Sequence, residues 1–256
     1  MTARTGQRIC VPWGPKDTLA LDIPESWNVL GVLEPNPLPP LPDPAAAVRA
    51  ALHIPIACRP LRELASGVGR VAILVDDLSR PTPAHILLPP VMGELQQAGV
   101  SRERITLIAA LGTHRPMTPE DMRKKLGAAW VGDLAWENHD YADPGKNVYL
   151  GTTSRGTPVY INRTVAAADL VISLGVIEPH VIAGFGGGYK NLIPGAAGAQ
   201  TIAATHTLNL TPATFNMTGR PAEENPMRLD LEEGGALLGK PFFVVNAVLD
   251  APLRIV

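Results

Sequence analysis

The chain has 256 residues, of which 46% are hydrophobic and 18% are charged, and this balance is typical of a globular protein with a sizeable core. Its net charge of −2, without a basic cluster, argues against a nucleic-acid partner. No apolar run is long enough to span a membrane, the N-terminus lacks the apolar core of a signal peptide, and the two cysteines form no disulfide framework, so we expect a cytoplasmic protein without a membrane partner.

The N-terminal part of the chain is predicted to contain a β hairpin, a proline-rich connection and one helix. Three short strands are expected, at 8–11, 18–23 and 29–33, with a turn at 13–17 between the first two. The proline-rich run at 34–44 indicates an extended connection. A helix at 45–52 follows Asp43 and Pro44, because Asp is a good N-cap and Pro suits the first turn.

The rest of the chain alternates strands with helices. Apolar runs typical of strands buried on both faces occur at 70–75, 105–111 and 170–174, and a further strand is predicted at 242–249. Helices are predicted at 84–98, 119–126 and 197–205, and a hairpin at 146–162. We expect Pro89 and Pro90 to kink or break the first of these helices. The alternation predicts a Rossmann-like α/β fold, with a largely parallel sheet flanked by helices and an N-terminal β hairpin region.

Three of the buried strands run directly into polar segments. The strand ending at Val75 continues as D-D-L-S-R-P, the second continues as G-T-H-R-P, and the third leads to E-P-H and a glycine-rich loop. Ligands of open α/β sheets bind beyond the carboxyl ends of the strands. The side chains expected to converge on one cleft are Asp77, Arg80, His114, His180 and Lys190.

The glycine-rich stretch at 175–206 holds seven glycines, two histidines and one lysine. A strand, a glycine-rich loop, a lysine and a helix start together suggest a phosphate-bearing ligand. Neither familiar phosphate motif fits, because Lys190 lacks the flanking residues of a P-loop and the glycines are spaced wrongly for a dinucleotide fingerprint. A tight structural loop with a solvated Lys190 is the alternative.

Histidines and one arginine are the candidates for chemistry in these segments. His114 and His180 suit general acid/base work because imidazole titrates near neutrality, although each alone could be structural. His206 is predicted on a helix surface, since one histidine does not make a metal site. Arg80 could grip a carboxylate with Asp77 orienting it, or the pair could cap a helix. We expect His139 at the surface.

Four blocks in order identify a resemblance to a known family. They are D-D-L-S-R-P-T-P, A-L-G-T-H-R-P-M-T, E-P-H-V-I-A-G-F-G-G-G-Y-K-N-L-I-P-G and a later T-H. From about Val11 onward the chain resembles the nickel-dependent lactate racemase family. The resemblance implies that residues 1–256 are the N-terminal, cofactor-binding domain of a racemase-like protein. Family members are longer, and their C-terminal domain, which closes over the cofactor, is expected to be missing here.

The resemblance also implies a cofactor and a reaction. The cofactor is a nickel-pincer nucleotide, and the reaction is racemisation or epimerisation of a lactate-like 2-hydroxy acid by hydride transfer to the pyridinium ring. Proteins that synthesise the cofactor are implied partners. The implied site residues are Lys190 as the covalent link, His206 as a nickel ligand, His114 and His180 as acid and base, Asp77 and Arg80 for orienting a histidine and binding substrate, and Gly186, Gly187 and Gly188 around the cofactor phosphate.

Two other classes of function stay open from the residues. One is a non-catalytic nucleotide-binding module that kept the fold. The other is a zinc hydrolase that uses His114, His180 and His206, which predicts stoichiometric zinc and no nucleotide.

Overall fold

The computed structural model describes residues 6–13, 17–33 and 36–256. The strands within these ranges are β1 (Arg8–Trp13), β2 (Asp17–Asp22), β3 (Val71–Val75), β4 (Ile105–Ala109), β5 (Ala135–Asn138), β6 (Asn147–Thr152), β7 (Pro158–Asn162), β8 (Leu170–Val176), β9 (Pro179–His180), β10 (Gly184–Phe185) and β11 (Phe242–Ala247). The α-helices are α1 (Pro44–His53), α2 (Leu61–Ala65), α3 (Ala84–Gln97), α4 (Pro119–Leu126), α5 (Ala128–Asp133), α6 (Arg163–Ala167), α7 (Ala199–Thr207) and α8 (Pro226–Ala236).

The centre of the fold is a five-stranded parallel sheet in the order β11-β8-β3-β4-β5. Every residue of β3 and β8 is buried, as expected for strands covered by helices on both faces. Alternate residues of β3 enter separate cores: Val71, Ile73 and Val75 pack with α1 to α4, whereas Ala72 and Leu74 pack with the other layer. The predicted α/β class and its parallel sheet are therefore confirmed.

The order of the strands determines where a ligand can bind. From β3 the chain proceeds through β4 to β5 on one side, and it then returns to β8 and β11 on the other side of β3. The direction in which successive strands are added to the sheet therefore reverses at β3, which has β4 on one side and β8 on the other. In open α/β sheets such a reversal opens a crevice at the carboxyl ends of the strands.

The predicted elements agree with the structure in most places. The β1–β2 and β6–β7 hairpins and helices α1 and α4 form where expected, and Asp43 caps α1 by accepting from the N–H of Ala46 at 2.9 Å. Residues 14–16 of the predicted turn and residues 34–35 of the proline-rich run lie outside the described residues. Residues 36–43 form neither helix nor strand, as predicted.

One predicted element is wrong. The segment 29–33 is not a strand, because no described strand pairs with it; Leu30 and Leu33 are 93% and 97% exposed. Helix α3 forms as predicted, and Pro89 and Pro90, at which a kink or a break was expected, lie within it without breaking it. Burial of its apolar face compensates for the lost backbone bonds.

Short elements escaped prediction, namely β5, the two-residue strands β9 and β10, and helices α2, α5, α6 and α8. No helix within the described ranges is both long enough and apolar enough to cross a bilayer.

Candidate active site

A cleft open to solvent lies at the carboxyl ends of β3, β4 and β8. Eight of the nine predicted site residues line it, namely Asp77, Arg80, His114, His180, Gly186, Gly187, Lys190 and His206. Gly188 is not among the lining residues. The strand ends therefore bring together side chains that are far apart in the sequence.

Asp77 and His114 form a hydrogen-bonded pair in the cleft wall. Oδ2 of Asp77 accepts from Nδ1 of His114, and Oδ1 accepts from the backbone N–H of Ser79 at 2.7 Å. Burial alone would raise the pKa of Asp77, but the hydrogen bonds from Ser79 and His114 outweigh it and the pKa lies below its usual value. Because a carboxylate only accepts, the neutral imidazole of His114 holds its proton on Nδ1 and leaves Nε2 free to accept.

Lys125 of α4 holds the turn that carries Asp77 and Arg80. The residue is only 3% exposed. Its Nζ donates to the carbonyl oxygens of Asp77 and Arg80, both at 2.9 Å, and lies 2.6 Å from Oδ1 of Asp76. Thr82 donates to the other oxygen of Asp76 at 2.5 Å. Two hydrogen bonds from the ammonium group, together with its buried ion pair with Asp76, therefore fix the turn.

Arg80 lies opposite Glu178, with Nη1 donating to Oε1 at 3.0 Å. The ion pair bridges the ends of β3 and β8. The interpretation that Asp77 orients Arg80 is wrong, because the guanidinium points across the cleft to Glu178 while Asp77 faces His114. The helix-capping alternative is also wrong, since α3 begins at Ala84 with Pro83 at its N-cap.

His180 lies in the β9–β10 hairpin, and its Nδ1 accepts from the backbone N–H of Ala183 at 3.1 Å. Burial, followed by the positive charges of Lys190 and Arg80, lowers the pKa of His180 to about 4. The imidazole is therefore neutral at pH 7.

Lys190 is largely buried in the cleft and has no side-chain hydrogen bond or ion pair to any residue that the structure describes. Burial, and then the charges of Arg80 and Arg228, lower the pKa of Lys190 to about 8. The amine therefore loses its proton much closer to neutral pH than an ordinary lysine does, which makes it a better nucleophile. The alternative of a solvated lysine is therefore wrong.

His206 lies on α7, as predicted, but it is half-buried and lines the cleft instead of the outer surface. Its Nδ1–H donates to the carbonyl oxygen of Ile202 at 2.8 Å, one helical turn earlier. Burial lowers its pKa. The neutral ring therefore presents an unprotonated Nε2, the form in which histidine binds a metal.

Two backbone amides of the glycine-rich loop are already hydrogen-bonded within the protein. The N–H of Gly186 donates to the carbonyl oxygen of Glu178 at 2.8 Å, and that of Gly188 donates to Oδ1 of Asn246 at 3.3 Å. A Cβ on Gly187 would lie 2.7 Å from the same Asn246 oxygen, so this position requires glycine. The glycines thus permit close packing on β8 and β11, and their amides are less available to an anion than the sequence suggested.

The start of α7 does not face the cleft, contrary to the expectation of a helix N-terminus beside the ligand. Gly198 and Ala199 lie against Tyr141 and Tyr160 in a separate depression, and the cleft receives Ile202 and His206 from later turns. The register of the helix relative to the hairpin β6–β7 sets this direction, since the N–H of Gly198 donates to the carbonyl oxygen of Tyr160 at 2.9 Å.

Within the described ranges, no three His, Cys, Asp or Glu side chains are placed to hold a metal ion. The zinc-hydrolase alternative therefore lacks its ligand set, because His114, His180 and His206 are not placed to share one metal ion. Any metal in this cleft needs donors from another group.

Sequence reasoning missed several side chains around the site and misplaced one. Lys125 and Arg228 carry no motif, and Lys125 follows another lysine in a helix whose composition is typical of a solvated one. Asp76 opens the D-D-L-S-R-P block, but no role was predicted for it. His139 is 3% exposed, not at the surface, because its Nε2 donates to the buried carbonyl oxygen of Ala197 at 2.9 Å.

A parallel α/β sheet with a polar, histidine-lined cleft where its strand order reverses has the architecture of the α/β domains that bind cofactors or small molecules. The family model for the lactate racemase N-terminal domain matches residues 15–217. The chain belongs to this family, which confirms the resemblance noted from its motifs.

Two curated lactate racemases are similar to the chain. The protein of Thermoanaerobacterium thermosaccharolyticum is 32% identical over 248 residues, which cover 96% of this chain and 57% of that protein. The protein of Lactiplantibacillus plantarum is 34% identical over 209 residues, covering 82% and 49% respectively. The chain thus spans about half the length of these relatives.

Two solved structures have folds similar to that of this chain. The lactate racemase apoprotein from Thermoanaerobacterium thermosaccharolyticum matches 98% of this chain and 58% of its own, with a TM-score of 0.83 at 30% identity. A crystal structure of a Thermotoga maritima protein matches 86% of this chain and 53% of its own, with a TM-score of 0.65 at 22% identity, and shows likeness of fold alone. That residues 1–256 are the cofactor-binding domain of a longer racemase stays a prediction.

Proposed function

We propose that the chain carries the cofactor site and the acid/base pair of a racemase or epimerase that acts on a lactate-like 2-hydroxy acid. The observation that carries the proposal is the joint lining of one cleft by His114, paired with Asp77, and His180, together with Arg80 and Lys190. Membership of the lactate racemase N-terminal domain family supports the same reaction.

Two residues fit the attachment of a nickel-pincer nucleotide. Lys190 offers a buried amine with a lowered pKa, which suits a covalent link, and His206 offers an Nε2 whose proton is held on the other ring nitrogen. Since the described residues supply no three-ligand cluster, the nucleotide would have to bring the remaining metal donors. When bound, this group supplies a pyridinium ring that takes up the hydrogen at C2 as hydride and returns it.

The neighbouring glycines would lie against this nucleotide. Gly186 and Gly187 line the cleft, whereas Gly188 is held against Asn246 behind it. Because the amides of Gly186 and Gly188 are already bonded, charged side chains would carry most of the recognition of a phosphate.

His114 is the residue best prepared to remove the substrate hydroxyl proton. Asp77 orients its ring through Nδ1 and would stabilise the imidazolium that forms when Nε2 accepts the proton. Arg80 would bind the substrate carboxylate through the guanidinium nitrogens that Glu178 leaves free. His180 would complete the acid/base pair in the same cleft.

The test is chiral analysis of lactate incubated with the protein after co-expression with cofactor-synthesis proteins. His114→Ala and His180→Ala should each abolish racemisation, whereas His85→Ala, exposed on α3, should leave it unchanged. Substantial turnover by either cleft variant contradicts the scheme. Nucleotide binding without racemisation in the unmodified protein would favour the non-catalytic module instead.

A further inference from the structure

The loop 180–185, which carries His180 between β9 and β10, is held by three side chains that the proposed function does not use. Nδ2 of Asn209 and Nδ2 of Asn225 donate to the carbonyl oxygen of Ile182 at 2.7 and 3.0 Å. Asn209 and Asn225 are also bonded to each other at 2.9 Å, and both are fully buried.

Arg228 of α8 holds the other half of the loop. Its Nη2 donates to the carbonyl oxygen of Ala183 at 3.2 Å and also to that of Phe185. The N-terminus of α8 is fixed in turn by Asn225, whose Oδ1 accepts from the N–H of Arg228 at 3.2 Å. The loop is therefore anchored through three of its carbonyl groups.

Three carbonyl groups of the loop 180–185 are bonded to Asn209, Asn225 and Arg228, and two of its backbone N–H groups point at the ring of His180. The N–H groups of Ile182 and Ala183 lie 3.4 and 3.1 Å from Nδ1 of His180. A backbone N–H can only donate, so Nδ1 is an acceptor and a neutral His180 carries its proton on Nε2. His114 has the opposite arrangement, because its Nδ1 faces the carboxylate of Asp77.

We propose that Asn209, Asn225 and Arg228 are positioning residues that hold His180 as the Nε2–H tautomer, so that the two histidines enter the reaction unequally. His114 is the proton acceptor of the resting site and His180 is the hydrogen-bond donor. This inference rests on the proposed function for its catalytic meaning, while the tautomers themselves follow from the hydrogen bonds alone.

The inequality has a consequence for the two substrate enantiomers. A hydroxyl facing His114 can pass its proton directly to Nε2. A hydroxyl facing His180 meets an N–H instead, and Nε2 can accept its proton only after the ring proton moves to Nδ1 and the bonds from Ile182 and Ala183 are given up. The enantiomers should therefore differ in kcat and in KM, although kcat/KM must be equal because the equilibrium constant of a racemisation is one.

The tautomers can be measured directly by long-range ¹H–¹⁵N NMR of protein labelled with ¹⁵N-histidine. We expect His180 to show a protonated Nε2 and His114 a protonated Nδ1 at neutral pH, with His180→Gln and His114→Gln identifying the signals. A protonated Nδ1 on His180 overturns the proposal. This readout needs no activity, so a protein that racemises nothing but shows these tautomers refutes only the proposed function.

The anchoring side chains are tested by Arg228→Met, with Arg228→Lys as the conservative variant and Arg220→Met as a control at an exposed arginine of the preceding segment. Arg228→Met should populate both tautomers of His180 and lower kcat/KM of the holoenzyme by up to about 100-fold, whereas the two other variants keep the Nε2–H form. An unchanged tautomer in folded Arg228→Met removes Arg228 from the positioning set. If the tautomer of His180 is also unchanged in folded Asn225→Ala, the proposal that these side chains set the tautomer is overturned.

Discussion

Nη1 of Arg80 lies 3.0 Å from Oε1 of Glu178, and this ion pair joins the carboxyl ends of the two strands at which the sheet reverses its order. An anion that enters the cleft must share the guanidinium with a carboxylate already present. The strength with which Arg80 binds a substrate is therefore set partly by Glu178.

Replacing Glu178 by Gln should improve substrate binding. The amide keeps the size of the side chain but removes the competing charge, so we expect KM for a 2-hydroxy acid to fall by about 2- to 5-fold, the range of a partly exposed ion pair. Steady-state kinetics with lactate is the measurement, and Glu223→Gln, at an exposed residue, is the control. An increase in KM would mean that Glu178 orients Arg80 instead of competing for it.

Asp77→Asn should inactivate the site without unfolding it. The amide can donate to Nδ1 of His114 and thereby move the ring proton to Nε2, which removes the proton acceptor. We expect kcat to fall by about 100-fold or more. Asp17→Asn, at an exposed residue of β2, is the matched control. Equal losses in the two variants would contradict a specific role for the carboxylate.

Lys190 should react as an unusually acidic lysine. Since its pKa is lowered from 10.5 to about 8, half of the amine is unprotonated at about pH 8. Competitive labelling with an amine-reactive reagent, followed by peptide mass spectrometry, should give a titration midpoint near that pH. A midpoint near 10 would contradict the burial of the amine.

The same lysine should be the site of covalent attachment. After co-expression with cofactor-synthesis proteins, intact-mass spectrometry should detect an adduct on the unmodified protein and none on Lys190→Ala. An adduct that persists in the variant would exclude Lys190 as the link.

Lys125→Met should destabilise the fold much more than Lys124→Met. Lys125 is buried against Asp76, so its removal leaves an unpaired buried carboxylate, at a cost of about 3–5 kcal/mol in the free energy of unfolding. Lys124 is exposed on the same helix, and its replacement should change stability by less than about 0.5 kcal/mol. Urea denaturation measures both. Similar values for the two variants would show that the ion pair contributes little.

Stability should fall when the solution is acidified from about pH 6.5 to about pH 4. His180 has a pKa of about 4 in the folded protein and about 6.5 when unfolded, so in this window the unfolded chain binds the extra proton. His180→Gln should flatten this part of the urea-denaturation profile, whereas His85→Gln should not. A profile unaffected by His180→Gln would contradict its lowered pKa.

The sequence was a good guide where one physical rule sufficed. Continuous apolar runs located β3, β4 and β8, and the rule that ligands bind at the carboxyl ends of such strands brought Asp77, His114 and His180 to one cleft. Features that depend on packing between distant elements were not predictable. Nothing local distinguishes buried Lys125 from exposed Lys124, and nothing local indicates that Arg80 would meet Glu178.

The glycine-rich loop illustrates the same limit. Its composition suggested amides open to a phosphate, but the partners that occupy them, Glu178 and Asn246, come from the end of β8 and from β11. The direction of α7 likewise depends on its contact with β7, which a linear pattern does not reveal.

The parallel pairing of β3 with β8, in which Val71 lies beside Leu170, sets an order of events for this protein. About a hundred residues separate these two strands in the chain, and pairing over such a separation is intrinsically slow because the intervening chain must be ordered first. A newly made chain therefore has no cleft to offer until its sheet is assembled. If Lys190 carries the cofactor as proposed, we expect its loading to follow folding.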